Sequence, residues 1–139
     1  MVRIIMNGCN GHMGQVISDL VSKDENAEIV AGVDLQDTGR YSYPVFTELG
    51  ACDVKADVMI DFSSAKATDA VLEYCGSREL PLVLCTTGLS QEQLQKVEET
   101  AKKTAVLRSA NMSLGINTLL KLLQDAAKVL AAAGFDMEI

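Results

Sequence analysis

Apolar runs of strand length alternate with amphipathic helical patterns along this chain of 139 residues. The strand-like runs cover residues 2–6, 28–33, 56–62, 81–85 and 105–107. Helical patterns follow at about residues 15–21, 65–77, 90–101 and 115–133. Residues 36–52, with Gly39, Pro44 and Gly50, predict a loop that contains one short helical turn. Strands that alternate with helices predict an α/β fold, a doubly wound parallel sheet with helices on both faces.

The spacing of apolar residues also predicts which helix faces are buried. The inward face of the helix at 65–77 is predicted to consist of Ala67, Val71, Tyr74 and Cys75. Residues 90–93 have the form of a capping box, in which a serine and a glutamine satisfy each other's backbone N–H groups. The inward face of the helix that they begin is predicted to consist of Leu94, Val97 and Ala101.

The last helical pattern is the most strongly amphipathic. Its apolar stripe consists of Ile116, Leu119, Leu120, Leu123, Ala127 and Leu130. Leu114 and Leu122 lie off that stripe, which predicts a second apolar neighbour, and Gly134 provides a C-terminal stop. Residues 135–139 then alternate apolar and acidic like the start of a strand, which suggests a truncated protein.

A glycine motif lies between the first strand and the first helix. Gly11 and Gly14 match the last two glycines of the dinucleotide fingerprint, whereas its first glycine falls at Cys9, with Gly8 one residue early. Such glycines let backbone amides approach a pyrophosphate at the positive end of a helix. Asp34, at the end of the next strand and 20 residues after Gly14, can accept hydrogen bonds from the ribose hydroxyls of NAD. This unit predicts a Rossmann-type dinucleotide-binding domain.

The composition and charge of the chain argue against several other classes of protein. Hydrophobic residues make up 48% of the chain and charged residues 22%, which indicates a globular domain. The net charge of −7 argues against a nucleic-acid partner, because phosphate backbones need a basic face. No apolar stretch approaches the roughly 20 residues that span a bilayer, and no secretion signal is recognisable. The four cysteines lack a paired framework or C-x-x-C spacing, so we expect reduced thiols in a cytoplasmic protein and no metal site.

Small polar residues follow the other strands, where ligands of open α/β sheets bind. They occupy residues 61–64, 85–88 and 109–113. Turn and cap formation explains some of them equally well, such as Ser63 or Ser64 and Ser90.

The ordered set of these motifs resembles the N-terminal domain of the 4-hydroxy-tetrahydrodipicolinate reductase (dihydrodipicolinate reductase) family. The resemblance runs from G-x-x-G-x-M-G at 8–14 through Asp34 and the motifs at 61–63, 86–88 and 110–117. It implies that Gly11, His12 and Met13 cover the pyrophosphate, that Thr87 and Gly88 approach the nicotinamide, and that residues 111–113 close over it near an interdomain hinge. The complete implied cofactor set is Gly8, Asn10, Gly11, His12, Met13, Gly14, Asp34, Phe62, Ser63, Thr86, Thr87, Gly88, Asn111, Met112 and Ser113.

Two departures from that family bear on the cofactor. His12 stands where the family usually carries arginine, and Cys85 stands where it usually carries glycine. That arginine helps to bind a 2′-phosphate, and no arginine directly follows Asp34, although Arg40 lies in the loop beyond it. A carboxylate without a nearby cation repels a 2′-phosphate, so NADH is favoured over NADPH. His12, the only histidine, is interpreted as a solvated residue of the first helical turn rather than a catalytic acid.

The resemblance further implies a second domain after residue 134, of which residues 135–139 are the beginning. On this view residues 1–134 form the dinucleotide-binding domain, with a hinge helix at about 115–133. The catalytic acid and the groups that bind the dicarboxylate substrate belong to the second domain, which also forms most of the family's tetramer. Hydride transfer from NAD(P)H in the intact enzyme gives tetrahydrodipicolinate, in diaminopimelate and lysine biosynthesis. We therefore expect this chain to bind the dinucleotide without turnover and to contain no catalytic residue.

Two other functions are compatible with the glycine motif. A short-chain dehydrogenase or epimerase needs a Tyr-x-x-x-Lys pair, but Tyr74 is followed by Arg78, Tyr41 by Val45 and Tyr43 by Thr47. A non-catalytic nucleotide-sensing domain would explain a missing catalytic half, but not the complete order of reductase motifs.

The cysteines offer one further interpretation of the cofactor edge. If the first and fourth predicted strands are neighbours, Cys9 and Cys85 both lie there, and two buried, inert thiols are the favoured interpretation.

Overall fold

The structure, a computed structural model, describes residues 1–136 and 138. The strands are β1 (Val2–Asn7), β2 (Ala27–Val33), β3 (Val45–Phe46), β4 (Val58–Asp61), β5 (Leu82–Leu84) and β6 (Val106–Arg108). The helices are α1 (His12–Val21), α2 (Thr68–Arg78), α3 (Gln91–Ala101) and α4 (Leu114–Ala132), with a single 3-10 turn at Leu49–Ala51.

All six strands form one parallel sheet in the order β3-β2-β1-β4-β5-β6. This order confirms the doubly wound sheet, and the chain reverses its winding direction between β1 and β4. Ligands of such sheets bind at that reversal, at the carboxyl ends of the strands. β1 is flanked by β2 and β4. The strand predicted at 81–85 is β5, which lies on the far side of β4 from β1. The strands before Cys9 and Cys85 are therefore not neighbours as the hypothesis required, although both cysteines follow their strands at the carboxyl edge.

The predicted loop at 36–52 contains a strand that the sequence analysis missed. Val45–Phe46 pairs with the end of β2, where Gly32 N–H donates to Pro44 O at 2.9 Å and Asp34 N–H donates to Phe46 O at 3.0 Å. Two residues are too few to show a period, so no pattern could reveal this edge strand. The expected helical turn in the same segment is the 3-10 turn.

The hydrophobic core lies between the sheet and the helices, with Ile5, Met59 and Leu82 almost completely buried. On α2 the predicted residues Val71, Tyr74 and Cys75 are buried, whereas Ala67 precedes the helix and is only partly buried.

The capping box of α3 forms as predicted, with Gln93 N–H donating to Ser90 Oγ and Ser90 N–H donating to Gln93 Oε1. Of the predicted inward residues of α3, Val97 is buried and Leu94 is half-buried, but Ala101 is exposed. Thr100 is buried instead. Gly76 on α2 has no side chain, and this leaves room for the Thr100 methyl group.

The helix α4 differs most from the prediction. It forms over the expected residues, but none of its residues is buried in the described part of the chain, so its apolar stripe has no covering partner there. The exposed apolar side chains of α4 include Leu114, Ile116, Leu119, Leu120, Leu122, Leu123 and Leu130. The second neighbour expected for Leu114 and Leu122 is likewise absent among residues 1–136 and 138.

The end of α4 carries the predicted glycine stop. Gly134 has a left-handed φ of 82°, and Phe135 N–H donates back to Leu130 O at 3.0 Å. The strand predicted at 135–139 does not begin at Phe135 or Asp136, and Glu138 has no regular structure. Met137 and Ile139, on which the rest of that prediction falls, lie outside the described residues.

No helix of the described chain combines the length and the apolar character that crossing a membrane requires.

The exposure of α4 leads to a prediction about stability. Leu120→Ala should change the free energy of unfolding by less than about 0.5 kcal/mol, because both residues favour a helix and the leucine side chain is exposed. The matched variant Leu82→Ala should cost about 2–5 kcal/mol, because Leu82 is fully buried in the sheet. Urea unfolding of the 139-residue chain measures both. A comparable loss for Leu120→Ala would show that α4 is packed in solution.

Candidate dinucleotide-binding site

The turn between β1 and α1 depends on a glycine one residue earlier than the usual fingerprint. Gly8 has a φ of 81°, and a Cβ atom there would lie 2.6 Å from the Phe62 carbonyl oxygen. Cys9, which occupies the usual position of the first glycine, turns its side chain into the core and is fully buried. Gly32 on β2 leaves room for it, because a Cβ at Gly32 would lie 2.8 Å from the Cys9 Sγ.

The last glycine of the motif allows α1 to pack closely on this turn. A Cβ at Gly14 would overlap the Gly8 carbonyl oxygen and lie 2.7 Å from the Cys9 Cα. The predicted role of Gly14 in close helix–strand packing is therefore supported by the geometry.

The start of α1 leaves three backbone donors open. Gly11 is the N-cap and provides no side-chain cap, and its own N–H donates to Gly8 O at 3.1 Å. Within the described part of the chain, the N–H groups of His12, Met13 and Gly14 have no hydrogen-bond partner. Free N–H groups at a helix N-terminus, combined with the helix dipole, form an anion site. The His12 side chain is exposed on this first turn, as predicted.

Asp34 lies beside the glycine loop, at the end of β2. Its Oδ2 accepts a hydrogen bond from Asn10 N–H at 2.7 Å, and its Oδ1 accepts one from Leu35 N–H at 2.8 Å. The Asp34 carboxylate therefore fixes the position of the glycine loop as well as lining the site.

Asn10 joins the same loop to the segment after β2. Its Nδ2 donates to Gln36 O at 2.7 Å, its Oδ1 accepts from the Thr38 hydroxyl at 3.2 Å, and its carbonyl accepts from Gln15 Nε2 at 2.7 Å. Since all its polar groups bond to the protein, Asn10 holds the loop in place.

An open cavity of about 390 Å³ extends from the glycine loop past Asp34. Its lining includes the backbone of Gly8 and Gly11, the Ser63 side chain, and an apolar wall of Leu49, Ala67 and Ala70. A cavity of this size with few polar groups is typical of small-molecule sites.

The buried centre of the carboxyl edge is Asp61, which the sequence analysis noted only as part of a motif. Its side chain is fully buried at the end of β4. Asp61 Oδ1 accepts hydrogen bonds from Asn7 Nδ2 at 2.7 Å and from Ser63 Oγ at 2.6 Å, while Oδ2 accepts one from Thr86 Oγ1 at 2.6 Å. These contacts leave Thr86 buried, with its hydroxyl directed at Asp61.

The other predicted cofactor residues lie on loops of the same edge. Thr87 and Gly88 are exposed after β5, and Phe62 and Ser63 are half-buried after β4. Residues 111–113 are exposed and cap α4, where Ser113 Oγ accepts from Ile116 N–H at 3.3 Å. The motif at 110–117 thus has a local structural role.

Arg40 is the cation closest in sequence to Asp34. Its guanidinium donates to Gln15 Oε1 on α1 and lies 5.8 Å from the centre of the Tyr41 ring. The neighbouring tyrosines bond to two different elements. The Tyr41 hydroxyl donates to Cys9 O in the glycine loop at 2.6 Å, and the Tyr43 hydroxyl lies 2.9 Å from Ser18 Oγ on α1.

The thiols near the site are buried and unreactive in character. Burial, aided by the negative charge of Asp34, raises the pKa of Cys9 to about 11. Burial also raises the pKa of Cys85, with a smaller effect from Asp61. Both thiols therefore stay protonated near neutral pH, in agreement with the favoured interpretation. The described residues include no group of three or more metal-ligating side chains.

Comparisons with known proteins identify a family that this chain matches over most of its length. Residues 2–112 match the family model described as "Dihydrodipicolinate reductase, N-terminus". The 4-hydroxy-tetrahydrodipicolinate reductases of Caldanaerobacter subterraneus subsp. tengcongensis and Clostridium tetani are 47% and 45% identical to the chain. Each match includes 100% of this chain and 54% of the relative, so the chain spans about half the length of these curated relatives.

A solved structure agrees with these matches. It is described as a dipicolinate-bound dihydrodipicolinate reductase from Paenisporosarcina sp. TG-14. The match has a TM-score of 0.81 at 29% sequence identity and covers 91% of this chain and 54% of that one. The chain therefore belongs to the dihydrodipicolinate reductase family, of which it represents the N-terminal part.

Proposed function

We propose that this chain binds a nicotinamide dinucleotide across the carboxyl edge of its sheet and is the cofactor half of a reductase. The observation that carries the proposal is the open N-terminus of α1, where the N–H groups of His12, Met13 and Gly14 lack partners in the described chain. A pyrophosphate satisfies such donors without any cationic side chain. The chain has a net charge of −7, so a local anion site of this kind is what an acidic protein needs.

The adenosine half of the dinucleotide fits the residues around the cavity. Gly8 and Gly11 let the phosphates approach the backbone, the Asp34 carboxylate accepts from the ribose hydroxyls, and the apolar wall with Ala67 and Ala70 contacts the adenine. When bound, the cofactor supplies the hydride. The protein's part is to bind and orient it.

We assign the nicotinamide half to the loops beyond β5. In this proposal Thr87 and Gly88 line its path and residues 111–113 close over it, while Phe62 and Ser63 line the adenosine-side cavity. Thr86 directly precedes Thr87 and Gly88, and the hydrogen bond from its hydroxyl group to Asp61 holds it in place.

The intact reductase is proposed to need the part of the protein that its relatives carry beyond this region. That part would provide the proton donor, the groups that bind a cyclic unsaturated dicarboxylate, and most of a homotetramer interface. The product would be tetrahydrodipicolinate, in lysine and diaminopimelate biosynthesis, and the reduced cysteines favour the cytoplasm. The exposed apolar face of α4 supports this division, because a stripe of leucines is stable in water only when something covers it. Residues 135–139 would then begin the second domain.

The open amides can be tested one at a time. His12→Pro removes one N–H group but fits the first helical position, since Gly11 already has an extended conformation. His12→Ala is the matched control, because it removes the side chain and keeps the N–H group. Loss of a hydrogen bond to a charged group should weaken NADH binding about 10- to 100-fold in His12→Pro. His12→Ala should bind NADH nearly as the wild type does.

Binding is measured by fluorescence titration with NADH, and urea unfolding verifies that both variants remain folded. Absence of NADH and NADPH binding by the wild type would refute the proposed function. Equal affinities of the two variants would show that the His12 N–H group does not bind the cofactor.

Cofactor preference is expected to follow Asp34. We propose that NADH binds more tightly than NADPH, because unit charges about 4 Å apart repel by about 1 kcal/mol even in water and a 2′-phosphate carries more than one charge. The expected ratio of dissociation constants is about tenfold or more. Arg40→Ala should leave this ratio unchanged, because Arg40 already bonds to Gln15. Calorimetric titration with both cofactors measures the ratio, and a preference for NADPH that Arg40→Ala removes would assign Arg40 to the 2′-phosphate.

The isolated chain should bind the cofactor without catalysing reduction. Mixed with NADH and the cyclic dicarboxylate substrate, it should not lower the NADH absorbance, whereas a full-length relative assayed in parallel should. Steady NADH consumption by the 139-residue chain would contradict the assignment of the proton donor to another domain.

A further inference from the structure

Asp61 collects hydrogen bonds from three separate strand ends. Asn7 is the last residue of β1 and leads into the glycine loop, Ser63 belongs to the loop after β4, and Thr86 belongs to the loop after β5. Each donates a side-chain hydrogen bond of 2.6–2.7 Å to the Asp61 carboxylate. The carboxylate is fully buried, so these donors, together with the longer bond from Ser63 N–H at 3.3 Å, replace water around it.

The two oxygen atoms of Asp61 accept hydrogen bonds from different sides of the cleft. Oδ1 accepts from Asn7 and Ser63, which carry the loops that line the adenosine-side cavity. Oδ2 accepts from Thr86, which precedes the exposed Thr87 and Gly88. Three side-chain hydrogen bonds of 2.6–2.7 Å to one buried side chain tie these loops to the end of β4 in addition to the backbone ladder.

We propose that Asp61 is a positioning residue that holds the adenosine-side and nicotinamide-side walls of the cleft at a fixed separation. Its Oδ1 anchors the first wall and its Oδ2 anchors the second. This inference rests on the proposed dinucleotide binding and adds a residue that the cofactor itself does not touch. It predicts that the two oxygens can be tested separately, by removing one donor at a time.

Thr86→Val removes the donor to Oδ2 and keeps the shape of the side chain. It should weaken NADH binding about fivefold or more, while ADP-ribose, which lacks the nicotinamide, should bind within about twofold of its wild-type affinity. Ser63→Ala removes a donor to Oδ1 and should weaken both ligands. Thr86→Ser keeps a hydroxyl group and should restore NADH affinity.

Thr100→Val is the matched control. Thr100 is as buried as Thr86, at 7% against 6% exposed, but it lies on α3 and does not contact Asp61. It should leave both affinities unchanged. Should Thr86→Val not fold, Thr86→Ala provides the same comparison with a smaller side chain.

Affinities are measured by NADH fluorescence and by displacement of NADH with ADP-ribose, on variants whose unfolding is cooperative. If the wild type binds neither ligand, the proposed function fails. If the wild type binds both, but Thr86→Val weakens them equally or not at all, Asp61 has only a structural role and the inference is overturned.

Discussion

The tight turn between β1 and α1 is the constraint on which the rest of the site depends. Because Gly14 has no side chain, α1 can begin directly against the Gly8 carbonyl, and its first N–H groups have no hydrogen-bond partner among the described residues. A side chain at Gly8 would instead collide with the Phe62 carbonyl and separate β1 from the loop after β4. One close contact between backbone segments thus creates both an anion site and the cleft between two neighbouring strand ends.

Much of the fold could be predicted from the sequence because most strands are continuous apolar runs. The run of β1 ends in four consecutive buried residues, and such runs predict strands of a parallel sheet directly. Predictions failed where another element decides the outcome. Thr100 rather than Ala101 is buried on α3, because Gly76 of α2 leaves space for it. The apolar stripe of α4 correctly indicated an amphipathic helix, but a stripe does not identify what covers it.

Some residues of the candidate site could likewise be predicted from the sequence, and others could not. The glycines and Asp34 could be found from spacing, because a turn and a strand end fix their places within one βαβ unit. The role of Asp61 could not, since its donors Asn7 and Thr86 are 54 and 25 residues away along the chain. Only the strand order β1-β4-β5 brings them together. The same holds for Arg40, whose contact with Gln15 depends on the path of the loop after β2.

The two halves of the proposed site lie in different parts of the chain. The cavity proposed for the phosphates and the adenosine is lined by residues between 7 and 71, on the sheet that carries the buried core. Residues 111–113 instead cap α4, whose side chains are exposed. If the proposed site is correct, cofactor affinity should depend mainly on the sheet, and the geometry around the nicotinamide should depend on how α4 is packed. In a two-domain reductase such a helix would link substrate-side movements to the nicotinamide without disturbing the phosphates.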